Sequence, residues 1–399
     1  MGEFWQDNAI YGLASFLAGV FNYLYHVVLA HVLGPAQYGE LATLLNVTWL
    51  WLLPAPVVTL VYTRVGRPPK AQRRWHAVAL WGGGLMLWGL VWAVGEPLFH
   101  LFRIPAGLFL LFTLEVIPSL ALAANQGILQ RARSFVWVGV IIVLNNGFRV
   151  LAAAGAAWVG LRLPGLGVLE GVAAGAAWLL SAWAVRELDH PGESSRTTTV
   201  LGTAVVGTIT ALWSLGDGLL AKHALTPHAA GLYNGLATLG HAVQFVAGSL
   251  GVVMMTNILA HPEARRRLFL TTLALYAAVA ACFQAAWGYA GASLVRLILG
   301  GRFLAIVPVL LYYGWGMVAL GLLNLLLLYA VAVKRWEGLV PAGVGMGCWV
   351  WGLWHAPRLG DFVFWTTAVS VGTLLATVAV MAIWPWARQL GRRAAVPQP

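Results

Sequence analysis

Charged residues are scarce in this 399-residue chain: Asp, Glu, Lys and Arg together make up 9%, against about 25% in soluble domains. With 60% hydrophobic residues, the chain has too few polar groups to cover a soluble domain, because surface-to-volume scaling leaves too little interior to hide the rest. A soluble enzyme and a disordered chain are excluded on that ground. Cysteine is nearly absent: only Cys282 and Cys348 occur, both in apolar stretches, which excludes a disulfide scaffold and offers no metal-ligand spacing. The chain has no P-loop, no Gly-rich dinucleotide turn and no metal cluster. The motifs therefore indicate neither an enzyme nor a bound cofactor. A basic leader is missing as well, since the N-terminus carries Glu3 and Asp7 where a signal peptide would be positive.

What remains is a polytopic membrane protein. Mean hydropathy is +0.79, and 21 tryptophans fit aromatic belts at membrane interfaces. A span needs about 20 apolar residues. Twelve segments meet this: 9–33, 38–65, 75–97, 106–129, 134–159, 165–187, 199–224, 229–257, 267–290, 303–333, 338–356 and 361–385. The eleventh is short and rich in Gly and Trp. The formal charge of +11 reads here as membrane anchoring on anionic lipid rather than nucleic-acid binding. The connections after odd-numbered spans hold only Arg103, Arg162, Lys222, Arg296, Arg302 and Arg358, while those after even-numbered spans and the C-terminal tail hold nearly all the other basic residues. The positive-inside rule then puts both termini in the cytoplasm and the chain in the cytoplasmic (plasma) membrane.

The two halves share a signature. Leu33, Pro35 and Tyr38 precede Leu41-Ala42-Thr43-Leu44; Leu225, Pro227 and Tyr233 precede Leu236-Ala237-Thr238-Leu239. The Leu-x-Pro pieces are offset by 192 residues and the Tyr-x-x-Leu-Ala-Thr-Leu pieces by 195. The expectation is three extra residues in the second turn, with each Tyr opening its helix at the membrane interface. Six spans per half is an even number, so the repeats are parallel. The predicted fold is all-α, with about twelve transmembrane helices in two six-helix lobes around a central cleft. The N-terminal lobe is 1–190, a cytoplasmic linker is 191–199, and the C-terminal lobe with a short basic tail is 200–399.

Three stretches carry a family resemblance: NYLYHVVLAHVLGPAQYG from Asn22 to Gly39, QGILQRARSF from Gln126 to Phe135, and GDGLLAKHALTPHAAGLY from Gly216 to Tyr233. They resemble lipid-linked oligosaccharide flippases of the O-antigen type, within the polysaccharide-biosynthesis transporters. That superfamily also includes multidrug and toxin extrusion exporters and lipid II flippases. The resemblance implies a transporter that flips a lipid-linked saccharide by alternating access, with glycan polymerase or glycosyltransferases as partners. Two other classes stay open: an ion-coupled exporter of small cations, and an integral membrane enzyme of glycan assembly.

Ionisable groups inside spans are the site candidates, because each costs several kcal/mol unless it faces a cavity or a partner. Arg149 lies about 15 Å deep by helical rise. It is either a cavity cation for a phosphate or the partner of Glu115 or Glu170. Asp217, between Gly216 and Gly218, is a candidate ion-coupling group, since two glycines loosen a helix and free its carbonyls. Lys222, five residues on, is expected to snorkel outward. By the 192 offset the counterpart of Asp217 is Tyr25, beside His26. His26 and His241 are candidates for proton handling, as is Glu115 for ion coupling. Asn22 and Asn145 can bond sugar hydroxyls, and Trp49 can stack on sugar or isoprenoid. Arg64, helped by Arg131 and Arg133 at the end of the fourth span, is placed to meet an incoming diphosphate; Arg67, Lys70, Arg73 and Arg74 complete a basic cluster. Pro54 with Pro56, Pro118 and Pro308 are predicted kinks.

Overall fold

The structure, a computed structural model, describes residues 2–132, 134–160, 163–186, 188, 212–213, 215–260, 262–333 and 335–394. Among these residues all regular structure is helical. Among the described residues nine helical stretches are long and apolar enough to cross a membrane, and Leu339–Trp354 is a shorter apolar helix. The chain is an all-α polytopic membrane protein. It divides into two units, Met1–Leu215 and Gly216–Pro399. The expected linker at 191–199 and the seventh span up to residue 211 lie outside the described residues.

In the first unit, α1 (Gly2–Val32) lies along α8 (Phe135–Val159). Small residues make this approach possible: a Cβ on Gly139 would sit 2.8 Å from the Ala14 side chain. The second span is α2 (Pro35–Trp51) followed by α3 (Pro54–Val65). Leu52 and Leu53 form the turn between them, with Leu53 N–H bonding the Leu50 carbonyl at 3.2 Å. Prolines 54 and 56 withhold the N–H groups that would have continued the ladder. Helices α4 (Arg73–Ala93) and α5 (Gly95–Phe102) follow. The fourth span is broken too: α6 (Ala106–Phe112), a 3₁₀ turn at Thr113–Glu115, then α7 (Val116–Arg131). Pro118 has no N–H for the Leu114 carbonyl, which accounts for the tightened turn. Helix α9 (Leu163–Ala184) closes the unit against this span.

In the second unit, helix α10 at 215–224 leads into α11 (Pro227–Ala260), α12 (Arg265–Ile298), α13 (Val307–Ala332), α14 (Leu339–Trp354) and α15 (Leu359–Ala394). Pro308 does not kink its span. It stands in the first turn of α13, after a 3₁₀ segment at Gly301–Ile306, where a missing N–H costs nothing. An unheralded kink occurs instead in α12 at Ala290, with φ −123° and ψ 15°.

The repeat is present, but its three extra residues are not in the turn. α1 ends at Val32 and α2 begins at Pro35; the second helix ends at residue 224 and α11 begins at Pro227. Capping bonds match at the same spacing: Leu33 N–H to Leu29 O, and Leu225 N–H to Ala221 O. The insertion lies within the first turns of α11. Beyond it the 195 offset holds, as in the back-bonds of Thr43 to Gly39 O and Thr238 to Asn234 O. Tyr38 and Tyr233 are both fully buried, and each hydroxyl has a polar partner inside its unit.

Candidate functional site

The first unit holds an ionic cluster. Arg149 on α8 donates from Nε to Glu170 Oε2 on α9 at 2.6 Å, and from Nη1 to Asn22 Oδ1 on α1 at 3.4 Å. Its guanidinium carbon lies 4.8 Å from the Tyr25 ring centroid, a cation–π arrangement. The Tyr25 hydroxyl and Glu170 Oε1 are buried and, among the described residues, have no hydrogen-bond partner; Glu115 lies in the 3₁₀ turn of the broken fourth span, on which α9 packs. Arg149, Tyr25 and Glu170 are all buried. Of the two roles open to Arg149, the geometry is that of an internal ion pair, with Asn22 committed to the same group.

Helix α9 comes close here because of its sequence. Gly167 and Gly171 flank Glu170 in a Gly-x-x-x-Gly pattern. A Cβ at 167 would lie 2.8 Å from Phe112, and one at 171 would lie 3.1 Å from Leu114. Small residues at this spacing let helix backbones approach.

The second unit holds a carboxylate surrounded by donors. Asp217 on α10 is 1% exposed. Its Oδ1 accepts the Gly218 N–H at 2.7 Å. Its Oδ2 accepts Tyr233 Oη at 3.0 Å and Tyr313 Oη at 3.3 Å, with His241 Nε2 at 3.1 Å. Tyr233 also contacts Thr366 Oγ1 on α15 at 3.3 Å. The glycines beside Asp217 therefore do not leave a loosened helix with free carbonyls. Residues 215–224 stay helical, and a Cβ on Gly216 would lie 3.3 Å from the Trp349 ring; this glycine makes room for an indole. Lys222 is 7% exposed, enclosed by its surroundings rather than snorkelling.

The other candidates are dispersed. His26 faces Tyr38 Oη through Nδ1 at 3.1 Å, and its ring meets that of Tyr25 edge-on, centroids 5.5 Å apart. Asn145 is half-buried, and its Oδ1 is buried without a hydrogen bond. Trp49 is 46% exposed on α2. Arg64 lies in the last turn of α3 and Arg131 is the last residue of α7, and these two helices pack closely. Thr59 Oγ1 donates to Ala123 O at 3.1 Å and Thr63 Oγ1 to Gln130 Oε1 at 3.1 Å. Of the Arg64 and Arg133 side chains nothing is described. Arg67 is a helix-end clamp: its Nη1 donates to the carbonyls of Arg186 and Leu188 at 2.7 and 2.8 Å.

Sequence reasoning missed Tyr313 and Thr366, whose hydroxyls look like ordinary span residues until the helices are assembled. It also missed Gln284 on α12, which is 6% exposed and has neither amide atom hydrogen-bonded. Among the described residues, no group of three or more His, Cys, Asp or Glu could hold a metal ion.

No protein-family model matches the chain, and no curated protein matches it. Solved structures do. A multidrug resistance MATE family transporter of the MOP superfamily, in an inward-facing conformation, superposes with a TM-score of 0.70 at 12% identity, over 95% of this chain and 96% of that one. The lipid II flippase MurJ, in an inward closed conformation, gives 0.68 at 14% identity, over 93% and 87%. A MOP superfamily transporter from Pyrococcus furiosus gives 0.57 at 13% identity, over 94% of each chain. The fold is the one these transporters share.

Proposed function

We propose that the chain is a membrane transporter that flips a lipid-linked oligosaccharide or a related polysaccharide precursor across the cytoplasmic membrane by alternating access. The observation that carries this reading is the seam between α3 and α7. The Thr63–Gln130 bond fixes two helix ends whose next residues are Arg64 and Arg131. On the side assigned to the cytoplasm by the positive-inside count, these two arginines are the candidates to meet a diphosphate, whose oxygens match the forked geometry of a guanidinium. The flippase among the similar folds supports the same reading. Anionic lipid and the enzymes of glycan assembly are its partners. Asp217 with His241 is the candidate coupling pair of the second unit.

The test is vesicle transport. Arg64→Ala should slow the initial rate for a labelled diphosphate-linked saccharide, and Arg64→Lys should recover it only partly. The defect should shrink at high salt if steering contributes. Unchanged rates at matched insertion would retire the reading of Arg64.

A second reading, export of small organic cations, is favoured by the buried acid Asp217 among Tyr233, Tyr313 and the Phe362 ring, which lies 4.5 Å from that of Tyr233. It predicts uptake of an organic cation into inverted vesicles, where the flippase reading predicts none.

A further inference from the structure

Pro385 stands well inside the last helix, α15, between Trp384 and Trp386. It has no N–H for the Met381 carbonyl four residues before it, and its ring crowds that oxygen. In the second and fourth spans the same chemistry ends in a turn, at Leu52 and Leu53 and at Thr113–Glu115. Here the helix runs on through the proline to Ala394. Proline is tolerated in this way when a neighbouring group takes over the freed carbonyl, because a backbone group left unmet in a membrane helix is costly.

A side chain from the connection between α13 and α14 takes it over. Arg335 Nη2 donates to Met381 O at 2.5 Å. The arginine is itself pinned at two other points. Its backbone N–H bonds Ala330 O at the end of α13 at 2.7 Å, and its Nε donates to Glu337 Oε1 at 2.7 Å. Glu337 belongs to a 3₁₀ turn, Trp336–Gly338, which is seated on α15 at this same level. A Cβ on Gly338 would lie 3.2 Å from Met381 Sδ and 3.6 Å from Thr377 Cγ2. A planar fork of five donors can serve an acid and a carbonyl at once.

We propose that Arg335 is the latch of a proline hinge in the last helix. With its bond made, α15 is continuous past Pro385. With the bond broken, the Met381 carbonyl has neither a ladder donor nor a guanidinium, the helix bends at the proline to relieve the crowding, and residues 386–394 swing as a unit. The connection between α13 and α14 thereby sets the direction of the C-terminal segment. Glu337 is a positioning residue, since it holds the fork with Nη2 turned to the carbonyl. The inference concerns the chain's own backbone and stands whatever the cargo is.

The experiment uses the full chain in lipid nanodiscs, with Cys282 and Cys348, both exposed, replaced by Ala. Spin labels at 340 and 389 report across the hinge, and a pair at 340 and 375 reports on the helix before it. Arg335→Met should broaden the 340–389 distance distribution and leave the 340–375 distribution as in the parent. Amide exchange of residues 386–394, corrected for intrinsic rate, should quicken about tenfold, as expected for a lost bond from a charged donor. Adding Pro385→Ala, which restores an N–H for the Met381 carbonyl, should return both readouts to those of the parent. An unchanged 340–389 distribution in Arg335→Met would overturn the proposal, as would a failure of Pro385→Ala to restore it. Should Arg335→Met fail to insert, Arg335→Met combined with Pro385→Ala must insert and keep the narrow 340–389 distribution. Failure there means that the arginine serves something other than the proline, and overturns the proposal equally.

Discussion

Arg149 and Glu170 stand on consecutive helices and meet at 2.6 Å, Nε to Oε2, with side chains 7% and 1% exposed. Removing one partner of a buried pair leaves the other charge unmet, at about 3–5 kcal/mol, whereas replacing both with apolar residues of similar volume is often neutral. Arg149→Ala is therefore expected to lower the thermal unfolding midpoint and the yield of inserted protein, and Arg149→Met with Glu170→Leu to recover most of the loss. If Arg149→Ala keeps full stability yet loses transport, the guanidinium is a substrate contact instead.

The seam between α3 and α7 depends on a hydrogen atom. A Cβ at Gly127 would lie 2.4 Å from the Thr59 carbonyl oxygen and 2.8 Å from the Tyr62 side chain. Gly127→Val should force the helices apart and cost about 1–3 kcal/mol. Because the same seam positions Arg64 and Arg131, it should also slow transport of a diphosphate lipid. Thermal melts and vesicle assays on one preparation would test both effects, and a variant as stable and active as the parent would contradict the packing.

Donors converge on Asp217, so its amide analogue is a poor substitute. Asp217→Asn places an NH₂ against either Gly218 N–H or the tyrosine hydroxyls, leaving a buried donor unmet at about 1–3 kcal/mol. Tyr313→Phe removes one 3.3 Å bond and should cost less, about 0.5–1.5 kcal/mol. Equal losses in melting experiments would argue against this order.

Orientation can be read by labelling. In a background lacking Cys282 and Cys348, which are both exposed, single cysteines at 36 and 228 should react with an impermeant reagent from outside. One at 70 should react only from inside. The reverse pattern would invert the assignment.

The helical class and most spans were legible in the sequence because apolar length is set by bilayer thickness. Proline was legible only with position: Pro54 and Pro118 break their spans, while Pro308 lies in a first turn where its missing N–H is harmless. The Arg149 pairing with Glu170 was visible as one of two alternatives, since a lone buried cation needs an acid. The choice between Glu115 and Glu170 needed the geometry of α9 against the broken span. The donors on Asp217 were not legible, because Tyr313 and Thr366 come from helices far along the chain. Nothing in a single span's pattern says which hydroxyl will face which neighbour.

The three residues inserted in α11 advance everything after them by about 4.5 Å along the helix and turn it about 60° short of a full revolution. The repeated tyrosine meets a histidine, His26, in one copy and a carboxylate, Asp217, in the other. Substitution adds to the insertion: by the 192 offset Asp217 stands where the first copy has Tyr25, and Gly218 where it has His26. The two copies of the corner are therefore not interchangeable, since each tyrosine hydroxyl is matched to a polar partner that the other copy lacks at that position.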